Sequence, residues 1–169
     1  MWTKKKKIYY LLYSLLGKCL PESRHLHLAK HIRNFFGKRI IKNAGININI
    51  EHGSCFTPEL SLGDYSGIGV HCELYGEITI GKKVMMGPEV VFYTQNHKHD
   101  LNVPFMEQGY EKMPISIGDN VWIGRRVMFM PGSSVGNNVV VAAGSVVTKQ
   151  FPDNVLVAGI PAKVIRELL

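Results

Sequence analysis

Apolar residues recur at every sixth position through most of this chain, in two runs whose registers differ by one residue. Glycine often follows these positions, and a small or β-branched residue often stands four positions after them. The periodic residues are Ile50, Phe56, Leu62, Ile68, Leu74, Ile80, Met86 and Phe92, then Ile117, Ile123, Phe129, Val135, Val141 and Val147. A period of six is neither helical nor that of a two-sided strand. It predicts a parallel β-solenoid, in which six residues form one short strand and one turn around an apolar axis.

The six-residue period also shows which segments lie outside the repeat. The solenoid is expected over residues 43–151, and residues 98–116 interrupt it, which predicts one protruding loop. A long loop inside a compact repeat is usually functional. Residues 152–169 are too apolar for a disordered tail, so we expect them to fold back on the last coil.

The N-terminal 42 residues lack the six-residue period and instead predict a basic α-helical extension. Four lysines at 4–7 precede an apolar run at 8–16, which as a helix would reach about 14 Å, against about 30 Å of membrane hydrocarbon. No small-x-small cleavage site follows, so we expect a retained helix. A second helix is predicted over about residues 23–36, with Gly37 as its end. Two roles that do not exclude each other remain open: a cap on the solenoid or a neighbouring subunit, and a segment attracted to anionic lipid.

The charge is strongly segregated. Residues 1–42 carry eleven Lys and Arg against one acid, whereas residues 43–169 carry nine against twelve. The mildly acidic solenoid is therefore not expected to bind nucleic acid. The three cysteines form no CxxC pair, which fits a reducing, cytoplasmic setting.

Several residues could carry chemistry. His97 stands where a strand ends and the loop begins, a good position for proton transfer. Three histidines, His71, His97 and His99, would be needed for a metal site across a subunit boundary, but no metal-ligand spacing supports it. Cys72 next to His71 would suit a thiol nucleophile, yet its place in the six-residue pattern is explained by packing alone.

The second run and the tail resemble one family in detail. Residues 114–124 (PISIGDNVWIG), 131–132 (PG), 142–149 (AAGSVVTK) and 159–166 (GIPAKVIR) are similar to the hexapeptide-repeat acyltransferases that acetylate maltose, galactoside and nodulation sugars. The resemblance covers roughly residues 43–169 and is closest to the branch that acetylates capsule and lipopolysaccharide sugars. It implies a left-handed parallel β-helix and a homotrimer with active sites between subunits. It also implies a catalytic histidine at the start of the loop, which His97 matches, with His99 second because it is offset by two.

The same resemblance implies direct transfer of an acetyl group from acetyl-CoA to a sugar hydroxyl, with His97 as general base and no metal. The acceptor contacts would be His71, Tyr93 and Asn96. His71 stands where sugar-acetylating relatives have Asn, which would change the acceptor. The positions that match contacts to coenzyme A are Trp122, Gly124, Arg125, Ala143, Gly144, Thr148, Lys149, Lys163 and Arg166.

The sequence thus predicts an acetyl-CoA-dependent O-acetyltransferase of cell-surface polysaccharide biosynthesis. We expect it in the cytoplasm, with peripheral contact to the inner face of the membrane through residues 1–36. The alternatives are an N-acetyltransferase on an amino sugar, a zinc-dependent hydratase like the gamma carbonic anhydrases, and a non-catalytic scaffold. An intact His97 and the tail that matches the coenzyme A contacts argue against the scaffold.

Overall fold

The chain is a left-handed parallel β-helix capped by two N-terminal helices, as the computed structural model of residues 2–168 shows. The predicted fold is confirmed, including the helical extension and the protruding loop. Helices α1 (Lys4–Leu16) and α2 (His27–Ile40) come first. Twenty short strands follow: β1 (Asn43–Ala44), β2 (Asn49–Ile50), β3 (Cys55–Phe56), β4 (Ser61–Leu62), β5 (Gly67–Ile68), β6 (Glu73–Tyr75), β7 (Ile78–Ile80), β8 (Met85–Met86), β9 (Val91–Tyr93), β10 (Gln95–His97), β11 (Tyr110–Lys112), β12 (Ile115–Ile117), β13 (Trp122–Ile123), β14 (Met128–Phe129), β15 (Ser134–Val135), β16 (Val140–Val141), β17 (Val146–Val147), β18 (Gln150–Phe151), β19 (Val155–Gly159) and β20 (Ala162–Glu167).

The solenoid has three faces made of parallel strands. The first face has the order β1-β4-β7-β12-β15-β18, and the third has the order β3-β6-β9-β14-β17. The second face begins with β2-β5 and continues as β8-β13-β16-β19-β20. Ser61 pairs with Thr79 and Leu62 with Ile80, so one coil takes 18 residues, three times the six-residue period. Within the three faces of the described chain, only β20 runs antiparallel, folding back on β19 at the last coil.

The periodic apolar side chains form the core that the sequence predicts. All fourteen are buried except Met86, which is partly buried. Stacking of successive coils brings like side chains together, and the rings of Phe92 and Phe129 lie parallel with centroids 4.6 Å apart. Each coil covers the apolar axis of the next, which is why the fold needs an end cap.

The two helices close the N-terminal end of this core. The ring of Tyr13 on α1 lies 5.0 Å from that of Phe56, and its hydroxyl donates to the Ser54 carbonyl oxygen at 2.9 Å. Gly37, predicted to end the second helix, lies inside α2. A Cβ at Gly37 would stand 2.2 Å from Cδ1 of Ile50, so the glycine permits close packing of the helix on the first coil and does not end it.

The loop is an antiparallel β-hairpin that leaves the third face after β9. Strands β10 and β11 pair through Gln95–Lys112, Asn96–Glu111 and His97–Tyr110, and a 3-10 turn (Phe105–Glu107) lies between them. The hairpin therefore begins at Gln95 and the solenoid returns at Ile115, against the predicted limits of 98 and 116. Thr94 anchors its base, donating to the Tyr75 carbonyl at 2.7 Å and accepting at its own carbonyl from the Met113 amide at 2.8 Å.

Candidate active site

His97 lies at the end of β10, exposed on the protruding hairpin. Its partner across the ladder is Tyr110, and the two rings are 4.3 Å apart between centroids with an interplanar angle of 43°. Side chains of a directly opposed pair project to the same side of a β-ladder. Tyr110 therefore supports one side of the imidazole and leaves the rest of the ring open to a substrate.

Three acidic residues, Asp100, Glu107 and Glu111, are close to His97 in sequence. Their positions in the hairpin differ. Asp100 organises the tip, where Oδ1 accepts from the Asn102 amide at 2.9 Å and its own amide donates to Gln108 Oε1 at 2.7 Å. Glu111 is opposite Asn96, so its side chain projects to the other side of the ladder from His97. Among residues 2–168, neither these two nor Glu107 hydrogen-bonds to the imidazole of His97.

His71 lies in a different place, at the turn between the second and third faces. It has a left-handed backbone (φ 54°), and its ring meets that of His52 edge-on at 4.9 Å. His71 precedes β6, whereas His97 follows β9, the strand paired with β6. The two histidines are thus at opposite edges of the third face, and one chain does not bring them into one site.

The predicted coenzyme A contacts at Gly124, Arg125, Ala143 and Gly144 lie on the same edge as His71, between the second and third faces. A Cβ at Gly124 would be 2.5 Å from the Ala143 amide nitrogen, so the coils can stack only with glycine here. Gly144 has φ 72°, and a Cβ added to it would meet no other atom within 4 Å, so the corner at Ala143 and Gly144 is open. An open corner with exposed backbone is a suitable surface for the arm of a coenzyme.

Arg125 is held by a partner that the sequence did not reveal. Arg125 and Arg126 both donate to the Glu89 carboxylate on the preceding coil. Hydrogen bonds from Arg126, the larger contribution, and from Arg125 hold the pKa of Glu89 below its ordinary value. Along this edge, Glu89 lies one coil after His71 and two coils before the open corner. The exposed ion cluster therefore lies between His71, a predicted acceptor contact, and the predicted coenzyme A contacts at Ala143 and Gly144.

Trp122, Lys163 and Arg166 lie on the second face. The Trp122 side chain is exposed and borders an open cavity of about 480 Å³. Its strand β13 and the cationic strand β20 are three strands apart, a distance of about 14 Å. Lys163 and Arg166 are exposed on this face, so both cations are accessible from solvent.

Thr148 and Lys149 lie at the turn from the third face to the first, the edge from which the His97 hairpin leaves two coils earlier. Both are exposed, and Nζ of Lys149 lies 5.6 Å from the centroid of the Phe151 ring. Tyr93 and Asn96 are exposed beside the hairpin base at this edge. The structure therefore places the predicted residues in three groups: two edges of the third face, and the second face.

The geometry argues against a nucleophilic thiol at Cys72. Cys72 is buried, burial raises its thiol pKa to about 12, and its Sγ contacts the Gly87 carbonyl oxygen at 3.3 Å. A thiol with that pKa is not a nucleophile at neutral pH, so packing explains this residue. No group of three His, Cys, Asp or Glu side chains within residues 2–168 is placed to hold a metal ion.

The sequence pattern did not indicate that Tyr110, Glu89 and Arg126 lie next to the predicted site residues. Tyr110 meets His97 only because the loop folds as a hairpin, and residues 98–109 carry no alternating pattern that would have set its register. The contact between Glu89 and the two arginines joins successive coils across the loop insertion, so it does not follow from the 18-residue repeat of a coil.

Comparison with known proteins identifies the family to which this fold belongs. Residues 114–149 match the family described as bacterial transferase hexapeptide (six repeats). A putative lipopolysaccharide biosynthesis O-acetyl transferase, WbbJ of Escherichia coli K12, is 31% identical over 142 residues, which cover 78% of this chain and 70% of WbbJ. The chain spans less than half the length, 44 to 46%, of three curated relatives that it matches at 43 to 47% identity.

Two solved structures superpose over nearly the whole chain. A maltose O-acetyltransferase from Clostridium difficile 630 has a TM-score of 0.82 at 29% identity, covering 98% of this chain and 87% of its own. A galactoside acetyltransferase in complex with coenzyme A has a TM-score of 0.79 at 28% identity, covering 98% and 82%. The repeat, the fold and the extent of these matches together show that the chain belongs to the hexapeptide-repeat acetyltransferase family.

Proposed function

We propose that this protein is an O-acetyltransferase that moves the acetyl group of acetyl-CoA to a hydroxyl of a saccharide, in the biosynthesis of a cell-surface polysaccharide. One observation carries the proposal: an exposed histidine, His97, ends the first strand of the only hairpin that leaves the described solenoid, and its ring is supported by Tyr110. The names of the relatives, which include maltose, galactoside and lipopolysaccharide O-acetyltransferases, support a saccharide acceptor.

The residues present fit an acetyl-CoA donor. The open corner at Ala143 and Gly144 offers backbone groups to the pantetheine arm, and Lys163 and Arg166 offer cations to the phosphates. Acetyl-CoA supplies an activated thioester. His97 takes the proton of the sugar hydroxyl while that oxygen forms its bond to the acetyl carbon and the bond from carbon to sulfur breaks. Backbone N–H groups hold the negative charge on the carbonyl oxygen, and the imidazolium returns the proton to the leaving thiolate.

We further propose that the active site forms between subunits of a homotrimer. His71 and His97 are at opposite edges of one face, so a cyclic arrangement of side-by-side solenoids would bring His97 of one subunit to His71 of the next. A site shared in this way can be restored by mixing. We expect mixed trimers of His97→Ala and His71→Ala chains to recover about a quarter of the wild-type sites, because each site needs one intact residue from each variant. Recovery of no activity above that of the unmixed variants would contradict a shared site.

We place the reaction in the cytoplasm at the inner face of the membrane, with contacts made by residues 1–36. The surplus of basic residues in the N-terminal 42 residues supports this location. None of the helices in residues 2–168 is long and apolar enough to cross a bilayer.

The decisive experiment measures thiol release from acetyl-CoA with a panel of simple sugars, amino sugars, nucleotide sugars and polysaccharide fragments. We expect hydroxyl acceptors to drive release, and His97→Ala to lower kcat/KM by about 10²- to 10⁴-fold. His99→Ala is the matched control, since that histidine lies on the same hairpin. Equal release by wild type and His97→Ala would remove His97 as the base, and release driven by the amine of amino sugars alone would make the enzyme an N-acetyltransferase.

A further inference from the structure

The two helices present an apolar surface to solvent on the side away from the solenoid. On α1, Ile8, Leu11 and Leu15 are 60, 58 and 66% exposed. Residues three, four and seven apart share one side of a helix, so these three form a stripe opposite the buried Tyr13. On α2, Leu28 and Phe35 are exposed as well. Together these five exposed residues form what we call the outer face.

The outer face combines a groove with a basic rim. An open groove of about 530 Å³ runs between the helices, and its lining is almost entirely apolar: Leu16, Ile32, Phe35 and Phe36, with His31. Lys4, Lys5 and Lys7 are exposed at the N-terminal end of α1, and the Arg39 guanidinium lies 3.6 Å from the centre of the Phe35 ring. Apolar side chains flanked by cations are the composition of helices that lie in the membrane interface.

We propose that the outer face docks on an anionic phospholipid bilayer. Ile8, Leu11 and Leu15 enter the headgroup region, an acyl chain covers the groove, and the lysines contact lipid phosphates. Charge complementarity selects this occupant. A second copy of the chain would bring two segments with ten net positive charges each against one another, whereas anionic lipid neutralises them.

The position of the cap sets how far the hairpin stands from a docked membrane, and this distance bears on the acceptor. The inference about the acceptor rests on the transferase function proposed above. The helices lie across the first coil, and the His97 hairpin leaves the third coil. Two coil spacings of about 4.8 Å and one helix diameter of about 10 Å put the base of the hairpin about 20 Å from the bilayer surface. A saccharide linked to a membrane lipid reaches that distance with a few sugar units, so we infer that the acceptor is lipid-linked.

A cyclic trimer would strengthen the docking. Rotational symmetry about an axis parallel to the solenoids puts all three caps at the same end of the assembly. Three outer faces would then meet one membrane plane, and three weak contacts act together through their high effective concentration.

The test is co-sedimentation of the full-length protein with vesicles of phosphatidylcholine alone or mixed with phosphatidylglycerol. We expect binding only to the anionic vesicles, and weaker binding at high salt. Lys4→Gln/Lys5→Gln should reduce the binding constant about 30-fold, while the matched control Lys82→Gln/Lys83→Gln on the solenoid should leave it unchanged. Leu11→Ser/Leu15→Ser should reduce it at least about tenfold, against no change for Leu101→Ser/Met106→Ser, whose side chains are exposed on the hairpin.

Other results would overturn the proposal. Equal sedimentation with neutral and anionic vesicles, or none with either, would do so. A concentration-dependent rise in mass that Leu11→Ser/Leu15→Ser abolishes would make a second copy the occupant. Thiol release with soluble and with lipid-anchored saccharides, measured on the same proteins, separates the two proposals: release without vesicle binding removes only the docking, and binding without release from either form of saccharide removes the transferase function. For the acceptor, anchoring the best soluble saccharide to a lipid in the vesicles should raise the rate for wild type but not for Leu11→Ser/Leu15→Ser; a wild-type rate that anchoring does not raise would exclude the lipid-linked acceptor.

Discussion

At the scale of single residues, the proposed site includes a contact between two side chains from opposite strands of a hairpin. Imidazole can turn about its bonds, and a general base needs one fixed direction toward the proton that it removes. The Tyr110 ring, 4.3 Å from that of His97, restricts that rotation. Its effect comes from the ring surface and not from the hydroxyl, so Tyr110 is a positioning residue in this interpretation.

We therefore expect Tyr110→Ala to lower kcat on the order of ten- to a hundredfold with a smaller change in KM, because a misdirected base slows the chemical step. Tyr110→Phe keeps the ring and should retain most of the activity. Steady-state kinetics on both variants checks this, with circular dichroism to confirm that the hairpin variants fold. If Phe loses as much activity as Ala, the hydroxyl has a role of its own and the positioning argument is wrong.

At the scale of elements, the helical cap is joined to the first coil by an ion pair between buried Arg33 and partly buried Glu51. Arg33 on α2 is fully buried, with Nε donating to the Ile50 carbonyl at 2.6 Å and Nη2 to Glu51 Oε2 at 3.2 Å. The same guanidinium donates to the Pro21 carbonyl at 2.9 Å and to Ser23 Oγ at 2.8 Å. One side chain thus holds together the helix, the linker and the solenoid, and removing it would leave Glu51 without its cation.

The carboxylate of this pair predicts a pH dependence. Burial acts to raise the pKa of Glu51, but the Ser23 amide and the Asn49 side chain, with Arg33, hold it below the ordinary value. A depressed carboxyl pKa stabilises the fold above the unfolded pKa of about 4.3, and this stability is lost as the pH falls through the lower folded pKa. Thermal unfolding between pH 3 and 7 should show a higher Tm for wild type than for Glu51→Gln near neutral pH, with the difference disappearing in acid. A difference that does not change with pH would show that the charge of Glu51 contributes nothing.

At the scale of the whole molecule, each coil is stabilised mainly by the coils that lie next to it. The cap covers the first coil through Tyr13 and Gly37, and each later coil covers the next until β20 folds back on β19. In such a stack each coil depends on its neighbours more than on distant coils. Damage at the cap should therefore loosen the N-terminal coils and leave the C-terminal ones intact.

Gly37→Leu tests this, since a side chain there collides with Ile50 and should cost about 1–3 kcal/mol of packing. Hydrogen exchange should quicken in β2, β3 and β5 and stay slow in β16 and β17. The double variant Gly37→Leu/Ile50→Ala makes room for the new side chain and should recover part of the protection. Uniformly faster exchange along the whole solenoid would show instead that the coils unfold as one unit.

Much of this organisation could be predicted because a solenoid repeats one local environment. The six-residue spacing located the core correctly at every one of its fourteen positions, with Met86 the least buried. The N-terminal helices followed from their composition, but the end of the second did not, because Gly37 is selected by contact with Ile50 and not by the geometry of a helix end. The family resemblance also indicated which residues serve the site, and their assigned roles stay predictions.

The sequence by itself determined the elements whose environment is local: the axial residues of the coils, the interruption at the loop and the basic, apolar N-terminal segment. Tertiary structure alone decided the contacts between residues far apart in sequence or set by an irregular register. These are the support of His97 by Tyr110, the pairing of Glu89 with two arginines, and the burial of Arg33 between helix and coil. It also decided that His71 and His97 occupy opposite edges of one face. The physical reason is that periodicity encodes which way a side chain points, whereas the neighbour that it meets depends on how the chain returns after an insertion or a cap.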